Sequence, residues 1–131
     1  MKANELRLGN YILDVFDLKN TVIRKIDLED LSMFINYLNH PLPFRPIPLT
    51  EEILLKCGFE HETMYIIKNL YLIEYGDFYF LLDENNGYYH VKLSNHSFGH
   101  EKQVGLGIIK HLHQLQNLYF ALTNQELNVE L

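Results

Sequence analysis

Two β-rich runs of apolar residues near the start of the chain predict an early β-hairpin. Residues 6–15 (LRLGNYILDV) and 21–26 (TVIRKI) are the two runs, and residues 16–20 join them. Residues 30–38 (DLSMFINYL) have no clear period. That stretch fits either a short helix that starts at Asp30 or an irregular strand.

Prolines and helix-capping residues define the next two elements, a connector and a short helix, more clearly than hydrophobic periodicity does. All four prolines fall in residues 41–50, which predicts an extended connector because proline donates no backbone hydrogen bond. Thr50 is a good N-cap, and two glutamates follow it in the first turn, where the helix dipole favours negative charge. Gly58 suits the left-handed position after a helix. A short helix over 51–57 is therefore predicted.

Residues 70–75, 78–82 and 88–93 are predicted to form an antiparallel meander. They are separated by short polar turns, and Asn86-Gly87 is a strong hairpin signal. In the third strand, Tyr89, Val91 and Leu93 point to one face, and Tyr88, His90 and Lys92 point to the other. The meander should then have one solvated face. Residues 94–107 are expected to be a polar loop.

The last strongly patterned stretch, residues 108–123, is predicted to be a helix. Five residues fall in one apolar stripe at about 100° per residue: Ile108, Leu112, Leu115, Tyr119 and Leu122. His113 falls on the polar strip. His111 and Gln116 interrupt the apolar arc, and we expect both to satisfy backbone groups. The elements together predict an α+β fold, an antiparallel sheet of about five strands with a short middle helix and a long C-terminal helix packed on the sheet.

Length and composition narrow the class of protein. A chain of 131 residues that is 47% hydrophobic predicts one globular domain over residues 1–131. The formal net charge of −6 repels a phosphate backbone, so nucleic-acid binding is disfavoured. The sequence has no run of 18 apolar residues and no apolar stretch after Met1, which predicts a cytoplasmic protein without a membrane partner.

The histidines suggest a metal site only if a loop brings three of them together. His96, His100 and His111 could converge if the predicted loop folded over the last helix. No carboxylate or thiolate completes a known ligand pattern, and His111 and His113 are two apart rather than four, so we expect no metal and no cofactor.

No pattern of nucleophilic catalysis stands out, and no catalytic residue is proposed. Ser94, Ser97 and Cys57 lack a local signature, and Cys57 is expected to be a small buried residue. Gly105 and Gly107, just before the predicted last helix, are a weak anion-binding signal.

The most unusual feature of the composition is its tyrosine content, with nine tyrosines in the chain. Tyr71, Tyr75, Tyr79 and Tyr88 could line one face of the meander as a binding surface, since tyrosine stacks on bases and packs on partner proteins. The alternative is that they are core residues under the helices.

Three segments, "NELRLGNYI", "PIPLTEEILLKCGF" and "HLHQLQNLYFALTNQEL", resemble a family of small uncharacterised proteins of Bacteroidetes and of their phages and prophages. The resemblance covers both ends and the centre of the chain, and residues 60–106 match least. It implies a gut-bacterial or phage setting, and it carries over no activity and no catalytic residue.

The preferred hypothesis is a non-enzymatic binding or interaction protein, an accessory factor of a phage or mobile element, with a protein partner or a second copy of the chain. The alternative is a small-ligand or nucleotide-binding protein that uses the tyrosine-rich face. A histidine-based metalloenzyme is the third hypothesis.

Overall fold

The computed structural model describes residues 5–15, 19–36, 43–62, 69–95 and 103–131, with the backbone alone for 34–36. The chain forms two compact units, one of residues 1–48 and 111–126 and the other of residues 49–110 and 127–131. The expectation of a single domain stays a prediction. The elements in chain order are β1 (Tyr11–Asp14), β2 (Val22–Lys25), α1 (Leu28–Asn36), β3 (Phe44–Arg45), α2 (Glu51–Lys56), β4 (Glu60–Glu62), β5 (Asn69–Tyr75), β6 (Phe78–Asn85), β7 (Tyr88–Ser94), β8 (Gln103–Ile109) and α3 (Leu112–Thr123).

The first unit contains a three-stranded antiparallel sheet with the order β2-β1-β3. The early hairpin is confirmed, because β1 pairs with β2 from Tyr11 opposite Lys25 to Asp14 opposite Val22. β3 lies inside the proline connector and pairs with the other side of β1. The core of this unit is a buried apolar cluster of Leu6, Ile12, Ile26 and Phe44, against which Leu31 of α1 packs.

Residues 28–36 are helical, which settles the ambiguity of the pattern there. Asp27 and Asp30 exchange side-chain hydrogen bonds with each other's backbone N–H groups at 2.9 and 3.0 Å, so two otherwise unpaired donors of the first turn are satisfied. Asp30 is buried and also accepts two hydrogen bonds from Arg24. This guanidinium lowers the pKa of the Asp30 carboxyl. The start of α1 is thereby joined to β2.

The C-terminal helix is present but begins at Leu112, not at residue 108. Ile108 and Ile109 belong instead to β8, where they pair with His90 and Tyr89 of β7. Leu112, Leu115 and Tyr119 are buried as the stripe predicted. Ile108 and Leu122 are exposed, so the stripe was wrong at both ends: one residue precedes the helix, and the other lies in its last turn.

Polar side chains on α3 bind the segment that leads into β1. The buried Gln116 accepts a hydrogen bond from Tyr11 N–H at 2.9 Å and donates to the Gly9 carbonyl at 3.3 Å. Asn117 bonds the Asn10 side chain and the Glu5 carbonyl. The expectation that Gln116 satisfies backbone groups is confirmed. The sheet it meets is the three-stranded one of the first unit.

The second unit contains a five-stranded antiparallel sheet in which each strand pairs with the next along the chain, β4-β5-β6-β7-β8. The α+β class is confirmed, and so is a five-stranded sheet, but its strands are not the five that were predicted. The N-terminal hairpin forms its own sheet, and β4 and β8 complete the meander. The loop expected over 94–107 is wrong at its C-terminal end, because residues 103–107 are strand.

The short middle helix α2 is confirmed with its caps. Thr50 Oγ1 accepts the Ile53 N–H at 3.3 Å, and Gly58 has the positive φ of +88° expected after the helix end. Leu54 is fully buried. Cys57 is buried, as expected, and burial raises the pKa of its thiol to about 12, so it is not a reactive thiolate at neutral pH.

Candidate functional site

The four tyrosines proposed as one binding face lie on opposite faces of the five-stranded sheet. Residues directly opposite each other in paired strands share a face. Tyr71 is opposite Leu82 and Tyr75 is opposite Phe78, whereas Tyr79 is opposite Glu74 and Tyr88 is opposite Asn85. Even- and odd-numbered positions of β6 point to different faces. Tyr71 and Tyr75 therefore share one face, and Tyr79 and Tyr88 share the other, so the expected single tyrosine surface is wrong.

Tyr71 is a core residue. Its side chain is 4% exposed, and its ring stacks on His61 of β4 with 4.7 Å between ring centroids. Tyr89, which is also buried, lies 6.3 Å from Tyr71 on the same face. The Tyr89 hydroxyl donates to the Leu49 carbonyl at 3.5 Å, and burial raises the pKa of Tyr89 to about 12. For Tyr71 the core alternative is the correct one.

Tyr79 is half-buried in a cleft of about 290 Å³. Three glutamates, Glu60, Glu62 and Glu74, contribute carboxylates to its lining. The full lining consists of Gly58, Glu60, Glu62, Leu72, Ile73, Glu74 and Tyr79. A phosphate group placed there would meet three negative charges, each of which repels it. This cleft therefore disfavours the nucleotide hypothesis at the one proposed tyrosine that lines it.

The strand β8 is the most unusual surface feature of the second unit. Among the described strands it pairs with β7 alone, so its other side is an edge of the sheet. Its seven residues, QVGLGII, contain no charge and no proline. Proteins ordinarily protect such edges with charged residues, prolines or very short strands, because an open edge is a template for pairing with another chain.

The other sheet edges in the described parts of the chain carry these protections. β2 ends in Arg24-Lys25, β3 is the dipeptide Phe44-Arg45, and β4 is Glu60-His61-Glu62. Each has a charged residue and none exceeds four residues. β8 is both longer and uncharged. Among the described residues, the one such feature that it shows is a β-bulge, where the register shifts opposite Val91 and Lys92.

Large apolar side chains lie exposed along this edge. Val104 is 60% exposed and Ile108 is 56% exposed. The register places Val104 opposite Leu93 and Ile108 opposite His90, so the two lie on different faces of the sheet. β8 ends at Ile109, and the carbonyl of the next residue, Lys110, accepts a hydrogen bond from the Leu49 N–H at 2.9 Å. We call the stretch from Val104 to Ile108 the β8 edge.

Tyr88 adjoins the β8 edge. It is 49% exposed and shares a face of β7 with His90, whose partner is Ile108. The Lys110 ammonium lies 5.1 Å from the centre of the Tyr88 ring, a cation–π distance. Tyr88 is thus the member of the proposed tyrosine set that lies beside an exposed apolar residue of the edge. The sequence pattern does not identify this edge, because it predicts a loop for residues 94–107 and a helix from residue 108, whereas residues 103–109 form a strand.

The glycine pair before α3 does not form an anion site. Gly105 and Gly107 lie within β8, and α3 begins five residues after Gly107, at Leu112. Their backbone N–H groups are consequently not those of a helix N-terminus, which is what the anion-binding signal required.

The structure describes one of the three histidines of the metal hypothesis. His96 and His100 lie outside the described residues, and His111 is the N-cap residue of α3. Its backbone N–H donates to Gln114 Oε1 at 3.0 Å. Within the part of the chain that the structure describes, no group of three or more His, Cys, Asp and Glu residues is arranged to hold a metal ion.

His113 is buried, although the sequence placed it on the polar strip of α3. Only 1% of it is exposed, and among the described residues neither ring nitrogen has a hydrogen-bond partner. Its Nε2 lies 3.7 Å from Glu5 Oε2, and its ring is nearly parallel to that of His111 at 5.8 Å. Burial, and secondarily His111, lowers the pKa of the His113 imidazole.

A second cleft lies in the first unit and is built around satisfied ion pairs. Its volume is about 440 Å³, and its lining includes Arg24, Asp30, Met33 and Phe44. Arg24 bonds Asp30 at 2.6 Å and Asp14 at 2.7 Å, and its guanidinium lies 4.9 Å from the Phe44 ring centre. With both carboxylates already paired to it, this arginine is better explained as a structural cross-link than as a ligand site.

None of the described helices combines the length and the apolar character needed to cross a bilayer. Comparisons with known proteins found no matching family model, no matching curated protein and no matching solved structure.

Proposed function

We propose that this chain is a non-enzymatic interaction protein that binds an extended strand of a partner at the β8 edge. The observation that carries the proposal is the uncharged seven-residue edge strand with Val104 and Ile108 exposed. In this mode of recognition, called β-strand addition, main-chain hydrogen bonds supply affinity and side-chain contacts supply specificity.

The chemistry of the edge defines the partner segment. The backbone of β8 provides N–H and C=O groups for a ladder, and the exposed apolar side chains favour a segment with β-branched or aromatic residues. Because Val104 and Ile108 lie on different faces of the sheet, the added strand can cover apolar surface on both sides. Tyr88 extends the contact on the Ile108 face as the aromatic anchor that interfaces commonly use.

The setting of this interaction is part of the proposal. A cytoplasmic protein that serves as an accessory factor of a phage or mobile element is the role that the sequence suggested, and a strand-adding partner is compatible with it. The acidic cleft at Tyr79 and the buried position of Tyr71 favour this interaction role over nucleotide binding.

A labelled peptide tests whether the edge accepts a strand. The probe is the sequence of residues 103–109 (QVGLGII) with a fluorophore and a short lysine tail for solubility, followed by fluorescence anisotropy. We expect saturable binding to the wild-type protein, and binding at least about tenfold weaker to Ile108→Lys, because a lysine on an edge opposes pairing. A peptide of the same length with proline in place of the central leucine should not bind, since proline lacks a ladder donor.

The matched control for Ile108→Lys is Ile23→Lys on β2. Ile23 is also exposed, at 44%, but it lies in an edge strand that already carries two cations. This variant should bind the probe as the wild type does. The protein is kept at a concentration at which sedimentation velocity shows a monomer, so that the edge is not filled by a second copy. Absence of binding to this monomeric wild-type protein up to about 1 mM probe overturns the proposal, and so does equal loss in the two variants.

A further inference from the structure

We infer that the strand that occupies the β8 edge is β8 of a second copy of this chain, so that the protein forms a dimer with twofold symmetry. The inference rests on the proposed function, since it names the partner at the same edge. Two five-stranded sheets would then join antiparallel through their last strands into one continuous sheet.

Charge is the first argument for a second copy. Each chain has a formal net charge of −6, so most surfaces of two copies repel each other. Opposed like charges on paired strands are destabilising. The β8 edge has no charged residue, so an antiparallel pair of these edges places no like charges across the new ladder.

The second argument is that pairing of β8 with β8 gives a closed dimer, whereas pairing with the opposite edge of the sheet does not. β4, at the opposite edge of the same sheet, is three residues long and carries Glu60 and Glu62. Pairing of β8 with β4 of another copy would match only part of β8 and would bring two carboxylates to an uncharged strand. Such head-to-tail pairing would also propagate into an open chain, whereas β8 with β8 uses the same surface on both copies and closes after two.

Exposed apolar surface is the third argument. In an antiparallel pair of edges, each copy contributes Val104 near one end and Ile108 near the other. Tyr88 of each copy lies on the same face as its own Ile108. These side chains are among the most exposed large apolar residues of the second unit, and the new ladder would cover them from both faces of the sheet.

Sedimentation velocity with paired charge variants tests this inference. We expect wild-type protein at tens to hundreds of micromolar to sediment at twice the 15.5 kDa mass of one chain. A variant with Val104→Glu and Ile108→Glu should be a monomer, and so should a variant with Val104→Lys and Ile108→Lys, because each places like charges along the shared ladder. An equimolar mixture of the two variants should form the dimer again.

A neutral variant and circular dichroism control for folding. Val104→Thr with Ile108→Thr keeps β-branched side chains without charge, so it should dimerise with a dissociation constant closer to that of the wild type than to those of the charged variants. The charged variants should keep the wild-type far-ultraviolet spectrum, since both positions are exposed.

The outcomes separate this inference from the function on which it rests. If the wild-type protein binds the labelled peptide but remains a monomer up to about 1 mM, the inference of a dimer is wrong. The proposal of strand addition then still holds. A wild-type dimer that both charged variants preserve shows that the copies meet elsewhere. A charged mixture that stays monomeric, although each variant is folded, equally overturns the β8 pairing.

Discussion

At the scale of single residues, two buried polar side chains of α3, Gln116 and His113, differ in whether their polar atoms form hydrogen bonds. Gln116 is buried with both ends of its amide bonded to the backbone before and within β1. His113, three residues earlier, is equally buried, but among the described residues its ring nitrogens have no hydrogen-bond partner. A neutral imidazole with an unsatisfied N–H has a cost, and a charged one there costs more.

The burial of His113 predicts that stability falls as the pH falls. Because the folded-state pKa is lowered below the ordinary 6.5, the unfolded chain binds a proton that the folded chain resists. Well above pH 6.5, His113 is neutral in both the folded and the unfolded state, so it does not contribute to the pH dependence of the unfolding free energy. Below pH 6.5, this single group removes at most about 1.4 kcal/mol of unfolding free energy per pH unit, until the lowered pKa is reached.

Urea titrations between about pH 7 and pH 5 measure this slope. His113→Leu should flatten the pH dependence of unfolding free energy relative to the wild type. At pH 7 it should be neutral or stabilising, since it removes one buried N–H donor and one acceptor nitrogen that have no partner among the described residues. His90→Leu, at an exposed position of β7, is the matched control for the loss of one histidine. Parallel curves for wild type and His113→Leu would contradict the assignment.

At the scale of elements, α3 combines an apolar stripe with polar contacts to the chain before β1. The stripe of Leu112, Leu115 and Tyr119 is buried, and Asn117 and Gln116 hold residues 5–11 through hydrogen bonds. Residues 5–11 and α3 therefore meet within the first unit.

The core role of α3 predicts a large loss of stability on truncation of Leu115. The side chain is 1% exposed, so Leu115→Ala should lower the free energy of unfolding by about 2–5 kcal/mol through lost burial and a residual cavity. Leu122→Ala is the matched control in the same helix, because Leu122 is 42% exposed and its change should stay within about 0.5 kcal/mol. Chemical denaturation compares the two, and similar losses would contradict the burial of the stripe.

Capping residues explain why α2 was predicted correctly and β8 was not. Thr50 and Gly58 bound α2 by local chemistry that any two-turn helix needs. Residues 103–109 have no such signal, and their apolar residues at 104, 106, 108 and 109 fit a strand or the start of a helix equally well. Pairing with β7 decided between them, and that pairing depends on residues 9 to 20 positions earlier in the chain.

At the scale of the whole molecule, net charge governs how association should respond to salt. Each copy has a formal charge of −6, and the proposed interface has no ion pair within the β8 edge. Added salt screens the repulsion between copies and removes no attraction at the ladder. The dimer dissociation constant should therefore stay constant or decrease between about 50 and 500 mM NaCl.

Sedimentation velocity over this salt range measures the effect, with the neutral Val104→Thr and Ile108→Thr variant as a control of unchanged charge. A steep weakening with salt would indicate an interface made of ion pairs, as in complexes that contact phosphates. Such an interface would lie on a charged surface and not on the β8 edge.

The sequence by itself determined the α+β class, the N-terminal hairpin, α2 with both caps, and the alternation of faces along β7. Each of these depends on residues close together in the chain: a turn, a cap or a period of two. Tertiary structure decided which strands share a sheet, on which faces the four tyrosines lie, and that residues 103–109 form an uncharged edge. Those features depend on register and strand order, which join residues that are distant in sequence, and a shift of one residue moves every side chain to the other face. The burial of His113 has the same origin, because it follows from the neighbours that pack around α3.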